Sequence, residues 1–277
     1  MTYLCRPFTM RASVVLLLAW LLLPGCSEFN KALKSTDVQY KLDVARKYYE
    51  EEEYERALPL LEELIVLTRG STLGEEVGYL HAKSFYNMKD YYLGGYYLTN
   101  FARTFPTSVH AEECAFLSAM CHYRNSPTFE LDQSDTRRAI DELQLFLVRY
   151  PRTDLRDSCN GLIDQLRYKL EQKDLHSALQ YERTKNYRAA HEALEQFLRK
   201  WPNSDHREEA MIALLKADHR LAVNSVADKK EERLRDAIRS YHNFVDAFGQ
   251  SGRLSEAERM YDELIAELER IQRTTTP

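Results

Sequence analysis

The chain has 277 residues, of which 44% are hydrophobic and 29% are charged, and its formal net charge is −5. This composition excludes a disordered chain and a chain embedded in a membrane along its whole length. Charges of both signs are mixed and no basic run occurs, so a nucleic-acid-binding surface is not expected. Nine Gly and eight Pro are few for a fold with many tight turns, which favours helices over an all-β fold.

Residues 1–25 predict a lipoprotein signal peptide. Arg11 precedes an apolar run over 14–23, which is shorter than the roughly 20 residues that span a bilayer as a helix. A basic residue before such a run is typical of a secretory signal. The run ends in the sequence LPGC, whose last residue is Cys26, and this resembles the bacterial lipobox. The resemblance implies cleavage before Cys26 and lipidation of that cysteine. An ordinary signal peptide or an uncleaved signal anchor is the alternative, and Met10 is a second candidate start.

The mature chain is predicted to have three parts. A lipidated tether covers 26–36, a helical solenoid covers 37–272, and a flexible tail covers 273–277. Each acyl CH₂ buried in a membrane contributes about 0.8 kcal/mol, so several acyl chains on one cysteine would hold a soluble domain there stably.

The predicted solenoid consists of successive helices, because apolar residues recur at intervals of three and four. An acidic run over 50–53 separates the first two helices. Gly70, Gly74 and Gly78 are four residues apart and would form a flat stripe on a helix. We favour a loosened turn between the first two helix pairs, with Gly70 as the helix stop.

A closing signature recurs at the ends of four predicted helix pairs. It consists of two aromatic residues four positions apart, a helix stop, and then Ser or Thr. Its copies run over 101–108, 146–153, 197–204 and 244–251. The aromatic residues share one helix face, Pro or Gly ends the helix, and the hydroxyl offers an acceptor to the next helix start.

Small residues precede these signatures on the second helix of each pair, where a neighbouring helix must approach closely. They are Ala57, Gly94, Gly95, Ala139, Ala189, Ala190 and Ala237. The alternation of large aromatic and small residues, with Pro at the turn, resembles the tetratricopeptide repeat (TPR) family. The resemblance implies an all-α, right-handed solenoid of about five TPR-like antiparallel helix pairs. Extended faces of such stacks bind peptides and protein domains.

The repeats are longer than those of the TPR family. The helix stops Pro106, Pro151, Pro202 and Gly249 lie 45, 51 and 47 residues apart, against about 34 in the family. Two insertions account for much of the difference. The first, over 125–136, predicts an ordered loop, and the second, over 223–233, predicts a charged helix extension or loop.

Three thiols remain in the predicted mature body besides Cys26. Cys114 and Cys121 lie about 10 Å apart along one predicted helix, too far for a disulfide. Either could pair with Cys159 in an exported protein, but we favour three small buried core residues. A zinc site that also uses His110 is conceivable, yet a helix start with buried thiols explains the pattern. No metal or cofactor is expected, and the absence of catalytic motifs indicates a protein that is not an enzyme.

A lipobox followed by about five TPR-like pairs resembles the BamD family of outer-membrane β-barrel assembly lipoproteins. The residues that carry the resemblance are Cys26, Ser27, Tyr48, Tyr49, Tyr54, Ala57, the turns over 101–108 and 197–204, and the loop over 126–133. The resemblance implies a lipid-anchored, periplasm-facing protein of the outer membrane that is a protein-binding scaffold in β-barrel assembly and insertion. Its implied partners are a BamA-like β-barrel insertase, bound through periplasmic domains, and unfolded outer-membrane proteins.

Candidate partner-binding residues fall in both halves of the chain. Tyr48, Tyr54, Tyr86 and Tyr92 are predicted to line an N-terminal groove, because exposed tyrosines pack against an extended peptide and hydrogen-bond to it. Any single tyrosine at helical spacing is more often a core residue. Arg199, beside the turn over 197–204, is the candidate for a C-terminal docking surface.

Two other functions are consistent with the sequence. One is a different periplasmic TPR lipoprotein that scaffolds cell-envelope enzymes. The other is a small SusD-like glycan-binding lipoprotein, a class that is usually larger and uses surface Trp to stack sugars. Only Trp20, in the predicted signal peptide, and Trp201 occur here, which disfavours the glycan-binding role.

Overall fold

The computed structural model describes residues 27–275, and these form twelve helices and no strands. The first six are α1 (Ser27–Lys34), α2 (Val38–Glu50), α3 (Tyr54–Leu67), α4 (Leu73–Asn87), α5 (Tyr91–Thr104) and α6 (Ala111–Asn125). The next six are α7 (Ser134–Arg149), α8 (Arg156–Arg183), α9 (Tyr187–Lys200), α10 (Arg207–Val223), α11 (Ala227–Phe248) and α12 (Leu254–Thr275). Helices α2 to α11 form five pairs, and the predicted all-α fold of TPR-like pairs is confirmed.

The chain divides into two compact units. The first includes residues up to 126 and residues 134–159, and the second includes 127–133 and the chain from 160 onward. In the first unit each helix packs against the next, and the first helices of consecutive pairs, α2, α4 and α6, also touch in sequence. In the second unit the C-terminal part of α8 shares a core with α9 and α10, and α11 and α12 continue the packing.

The closing signature acts as the sequence predicts. Its paired rings lie 5.2 to 5.9 Å apart in three copies, and the first ring of every copy is buried. In all four copies the side-chain oxygen of the Ser or Thr accepts a hydrogen bond from the backbone N–H two residues later, at 2.9 to 3.2 Å. The residues are Ser108, Thr153, Ser204 and Ser251. The motif therefore orders each short turn just before the next helix begins.

Two of the predicted small residues, Gly94 and Gly95, lie where helices approach closely. Gly94 and Gly95 belong to α5, and a Cβ at Gly95 would lie 3.2 Å from the Cβ of Cys121 on α6. The turn interpretation is right for Gly70, which has a φ of 78° beyond the end of α3. It is wrong for Gly74 and Gly78, which lie inside α4 because the helix starts again within a few residues.

The described part of the predicted tether is a packed helix. Ala32 of α1 is fully buried, the ring of Phe29 meets that of Tyr48 edge-on at 6.1 Å, and Glu28 pairs with Lys47 at 2.6 Å. At the other end α12 runs to Thr275, past the predicted end of the solenoid at 272. The predicted signal peptide and Cys26 lie outside the described residues.

Both insertions are ordered. In the loop over 127–133, Gln133 is fully buried and its side-chain amide donates to the carbonyls of Thr128 and Leu131. The ammonium group of Lys173 on α8 donates to three successive carbonyls of the same loop, at 2.9 to 3.3 Å. The second insertion is a helix extension, because α11 begins at Ala227, only a few residues after α10 ends.

The three described thiols are free and buried, which confirms the prediction of core cysteines. Burial raises the pKa of Cys114 and of Cys121 to about 12, and it also raises the pKa of Cys159. Neutral thiols of this kind pack as small apolar groups.

Three turns that join the two helices of a pair share a strained residue. Glu52, Lys89 and Lys185 have φ values of 60°, 64° and 61°. In each turn the backbone N–H of the next residue donates to the carbonyl five residues earlier, which is the Schellman pattern of a helix end. A side chain in this left-handed conformation costs about 1 kcal/mol, which glycine avoids.

We therefore expect Lys185→Gly to raise the free energy of unfolding by about 1 kcal/mol, because it relieves the left-handed strain without removing a buried contact. Urea unfolding followed by circular dichroism measures the change. Lys185→Ala is the matched control, since it removes the same side chain but keeps the Cβ. An equal gain in both variants would show that strain at this position is not the cause.

Candidate partner-binding surfaces

A polar and aromatic cluster joins α4 to α6 in the first unit. The rings of Tyr79 and His110 stack with centroids 3.9 Å apart, and the Tyr79 hydroxyl donates to Oε2 of Glu113 at 2.9 Å. Lys83 Nζ donates to the Tyr79 hydroxyl at 2.9 Å and forms an ion pair with Glu113. Burial lowers the pKa of Lys83, but its bonds to Glu113 and Tyr79 raise the pKa further than burial lowers it.

Glu113 stays ionised in this cluster. Burial raises the pKa of its carboxyl, but the hydrogen bonds from Lys83 and Tyr79 outweigh that effect and leave the pKa lowered. The cluster thus holds a fixed charge pair among aromatic rings. The cluster is not apparent from the sequence, because Glu113 is distant along the chain from Tyr79 and Lys83. The sequence signal for it is the spacing of four residues between Tyr79 and Lys83, which places both side chains on one helix face.

Tyr49 extends the same aromatic surface onto α2. Its ring meets that of Tyr54 edge-on at 5.4 Å, and its hydroxyl lies 3.5 Å from the side-chain nitrogen of Asn87 on α4. Burial raises the pKa of Tyr49 to about 12, so the phenol stays neutral and can donate a hydrogen bond.

The four predicted groove tyrosines have different environments. Tyr48 is 5% exposed and lies in the hydrophobic core, so the prediction of an exposed Tyr48 is wrong; its ring packs between α1 and the helix pair. Tyr54 is half-buried. Tyr86 is half-buried beside Tyr91, with ring centroids 5.7 Å apart. Tyr92 is 72% exposed. Their ring contacts do not join the four into one groove among the described residues.

Replacement by alanine should affect the free energy of unfolding far more at the buried Tyr48 than at the exposed Tyr92. We expect Tyr48→Ala to lower the free energy of unfolding by about 3–5 kcal/mol, because it leaves a cavity in the core. Tyr92→Ala should change it by less than about 0.5 kcal/mol. Urea unfolding of both variants tests this, and a small loss for Tyr48→Ala would return Tyr48 to the candidate surface residues.

In the second unit, Arg199 lies at the edge of a cavity. The cavity has a volume of about 550 Å³ and is lined by residues of α9, α10 and α11, among them Leu198, Met211 and Asp246. The Arg199 side chain is 65% exposed and pairs with Glu195 at 2.8 Å, one helical turn away. The predicted residue is therefore accessible beside a partly apolar hollow, as a docking side chain must be.

A buried carboxylate links three helices of the second unit. Asp218 on α10 is 4% exposed; its Oδ1 lies 2.6 Å from Nδ1 of His191 on α9, and its Oδ2 accepts from Ser240 Oγ on α11 at 2.6 Å. A nucleophilic triad requires the imidazole between hydroxyl and carboxylate, whereas here the carboxylate lies between the other two. The arrangement therefore fits a role in holding the helices together.

The bond to Asp218 raises the pKa of His191 above its ordinary value of 6.5, although burial acts in the opposite direction. A raised pKa in the folded state adds stability that is fully present below pH 6.5 and is lost as the pH rises through the folded-state pKa.

We expect the parent protein to lose this stability as the pH rises, and we expect the His191→Gln variant not to show that loss. Free energies of unfolding of the two proteins, measured from about pH 5 to pH 9, should converge as the pH rises. Other histidines contribute equally to both proteins, so the difference isolates His191. Parallel curves would show that His191 binds no extra proton in the folded state.

The described chain has no evident metal or membrane-spanning element. Among residues 27–275, no group of His, Cys, Asp and Glu side chains is placed to hold a metal ion. No helix in this range is long and apolar enough to cross a membrane.

Comparison with known proteins gives one family. The model of the family described as YfiO, outer membrane lipoprotein, matches residues 35–234. This range is more than half of the chain; it begins just before α2 and ends within α11. A search of curated proteins found no match.

Proposed function

Because this chain belongs to the YfiO family of outer membrane lipoproteins, we propose that it is a protein-binding scaffold in the assembly and insertion of β-barrel outer-membrane proteins, as the BamD resemblance implies. The observation that carries the proposal is the family match over a body built of TPR-like helix pairs. Helical repeats expose long surfaces that suit protein partners. The proposed role is binding and does not include catalysis.

The proposed anchor is an acylated Cys26. The described chain begins with α1 directly after this residue, and α1 packs on the first helix pair, so the anchor would connect to the folded body without a long linker. In this arrangement the helical body faces the periplasm.

The first unit offers a surface for extended segments of unfolded barrels. Barrel strands alternate apolar and polar residues and carry aromatic girdles. Tyr54, Tyr86 and Tyr92 supply partly or fully exposed rings with hydroxyl groups, and Lys83 and Glu113 add fixed charges among aromatic neighbours. Such a surface can contact both kinds of side chain of an extended strand.

The second unit offers the surface around Arg199 for the soluble domains of a BamA-like insertase. Arginine beside an apolar hollow is a common feature of interface hot spots, because its guanidinium binds acceptors while its stem packs on apolar groups.

The test is a mild-detergent purification of the tagged protein from its own membranes, with mass spectrometry of the co-purified proteins. We expect a large β-barrel protein with soluble periplasmic domains. The Cys26→Ser variant, which lacks the proposed acylation site, should be lost from the membrane fraction. Recovery of cell-envelope enzymes or glycan transporters without such a barrel would overturn the assembly role.

The same purification tests the Arg199 surface. We expect Arg199→Ala to weaken insertase binding about fivefold or more, as for the loss of about 1 kcal/mol at a hot spot. Arg239→Ala is the matched control, because Arg239 is also in the second unit, is 70% exposed and pairs with Asp236 within one helical turn. Equal binding by both variants would remove Arg199 from the docking surface.

A further inference from the structure

Four exposed apolar side chains lie within residues 88–96 of the first unit, where α4 ends and α5 begins. They are Met88, Tyr92, Leu93 and Tyr96, and we call them the turn patch. Tyr92 is 72% exposed and Tyr96 is 60% exposed, and their spacing of four residues places both rings on one face of α5. Exposed apolar clusters of this kind mark surfaces that a partner covers.

The proposed lipid anchor would be attached at a defined place on this unit. Cys26 is one peptide bond from Ser27, the first residue of α1, so their Cα atoms are about 4 Å apart. Glu28 of α1 pairs with Lys47 of α2 at 2.6 Å, and Lys47 lies in the last turn of α2. The start of α1 therefore lies beside the end of α2, next to the turn that joins α2 to α3.

Two contacts place the turn patch at the same edge as the anchor. Met88 and residues 52–56, which lead from the first turn into α3, line one hollow of about 330 Å³. The hydroxyl of Tyr49, near the end of α2, lies 3.5 Å from the side-chain nitrogen of Asn87, at the end of α4. The patch is two to three helix spacings of about 8–10 Å from α1, or on the order of 20–30 Å. A bilayer that holds Cys26 can therefore also reach the patch.

The composition of the patch suits the interface between a bilayer and water. Tyrosine is enriched there because its ring enters the apolar region while its hydroxyl stays hydrated. Lys89, in the turn itself, is exposed, and a lysine at such a depth keeps its ammonium group among lipid phosphates. The acidic run over 50–53 lies at the same edge and would be repelled by anionic lipid, so a zwitterionic surface fits best.

We propose that the turn patch rests on the bilayer that holds the acylated Cys26, with the rings of Tyr92 and Tyr96 in the lipid interface. The anchor keeps the patch close to the membrane, so even a weak contact is populated. Two contacts, unlike one, fix the tilt of the first unit on the membrane. The inference rests on the proposed anchor, and it assigns Tyr92 to lipid, which leaves Tyr54 and Tyr86 for an extended polypeptide.

The test uses the acylated mature protein in vesicles of phosphatidylcholine whose acyl chains carry bromine, which quenches tryptophan fluorescence on contact. Tyr92→Trp places a reporter in the patch. Val148→Trp is the matched control, because Val148 is 78% exposed in the same unit but lies near the C-terminal end of α7, at a turn between pairs. Trp201 gives the same background in both variants. We expect bromine to quench the emission added by Tyr92→Trp and not that added by Val148→Trp.

A second experiment removes the rest of the patch around the reporter. In the Tyr92→Trp protein, Leu93→Ser with Tyr96→Ser should lower the ratio of lipid-contacting to free patch about tenfold, because two apolar side chains leave the interface. Leu145→Ser with Val148→Ser is the matched control and should leave the quenching unchanged, since these side chains are also exposed but belong to α7. Circular dichroism checks folding, and the two tryptophan reporters decide the question if a serine variant does not fold.

Three results would overturn the membrane contact: equal quenching of the two reporters, equal effects of the two serine pairs, or no quenching in protein that mass spectrometry shows to be acylated. The last result would leave the turn patch exposed on a vesicle and assign it to a protein partner. A mature protein without acyl groups would remove the proposed anchor and this contact with it. None of these results bears on the assembly role, which fails only if no insertase co-purifies.

Discussion

Among residues 27–275, each hydrophobic core extends beyond a single helix pair, and this constraint governs the rest of the structure. Within each of the two units, neighbouring pairs bury their apolar stripes against each other. The core around Leu42, Leu61 and Val77 joins α1 to α4, and the core around Leu98 and Cys121 joins α4 to α6. Small residues such as Gly95 let the backbones approach, and the aromatic closing signature fills the space where each pair ends.

The fold could be predicted from the sequence because its determinants are local. The closing signature holds its rings, helix stop and hydroxyl within eight residues, and each group contacts residues nearby in the chain. The local structure at Gly74 and Gly78 was harder to predict, because a glycine is compatible with both a turn and a helix. Which one forms depends on whether neighbouring helices stabilise α4.

The candidate site was less predictable, because it depends on contacts distant along the chain. Helical spacing places a tyrosine on a face but does not show what covers that face. Tyr48 is covered by α1, which the sequence indicated only as a tether, while Tyr92 is left exposed. The cluster of Tyr79, Lys83 and Glu113 requires α4 and α6 to be neighbours, and it could not be derived from either helix alone.

The burial of the three thiols affects how the folded protein responds to an oxidising compartment. Thiol exchange and oxidation proceed through the thiolate, and Cys114 and Cys121, with pKa values of about 12, hold almost none at neutral pH. An oxidising compartment therefore cannot easily cross-link the folded chain to itself or to its neighbours. Oxidation or alkylation of Cys114 or Cys121 therefore requires local unfolding that exposes the thiol. A molecule modified at either position is one in which the helices around it had separated.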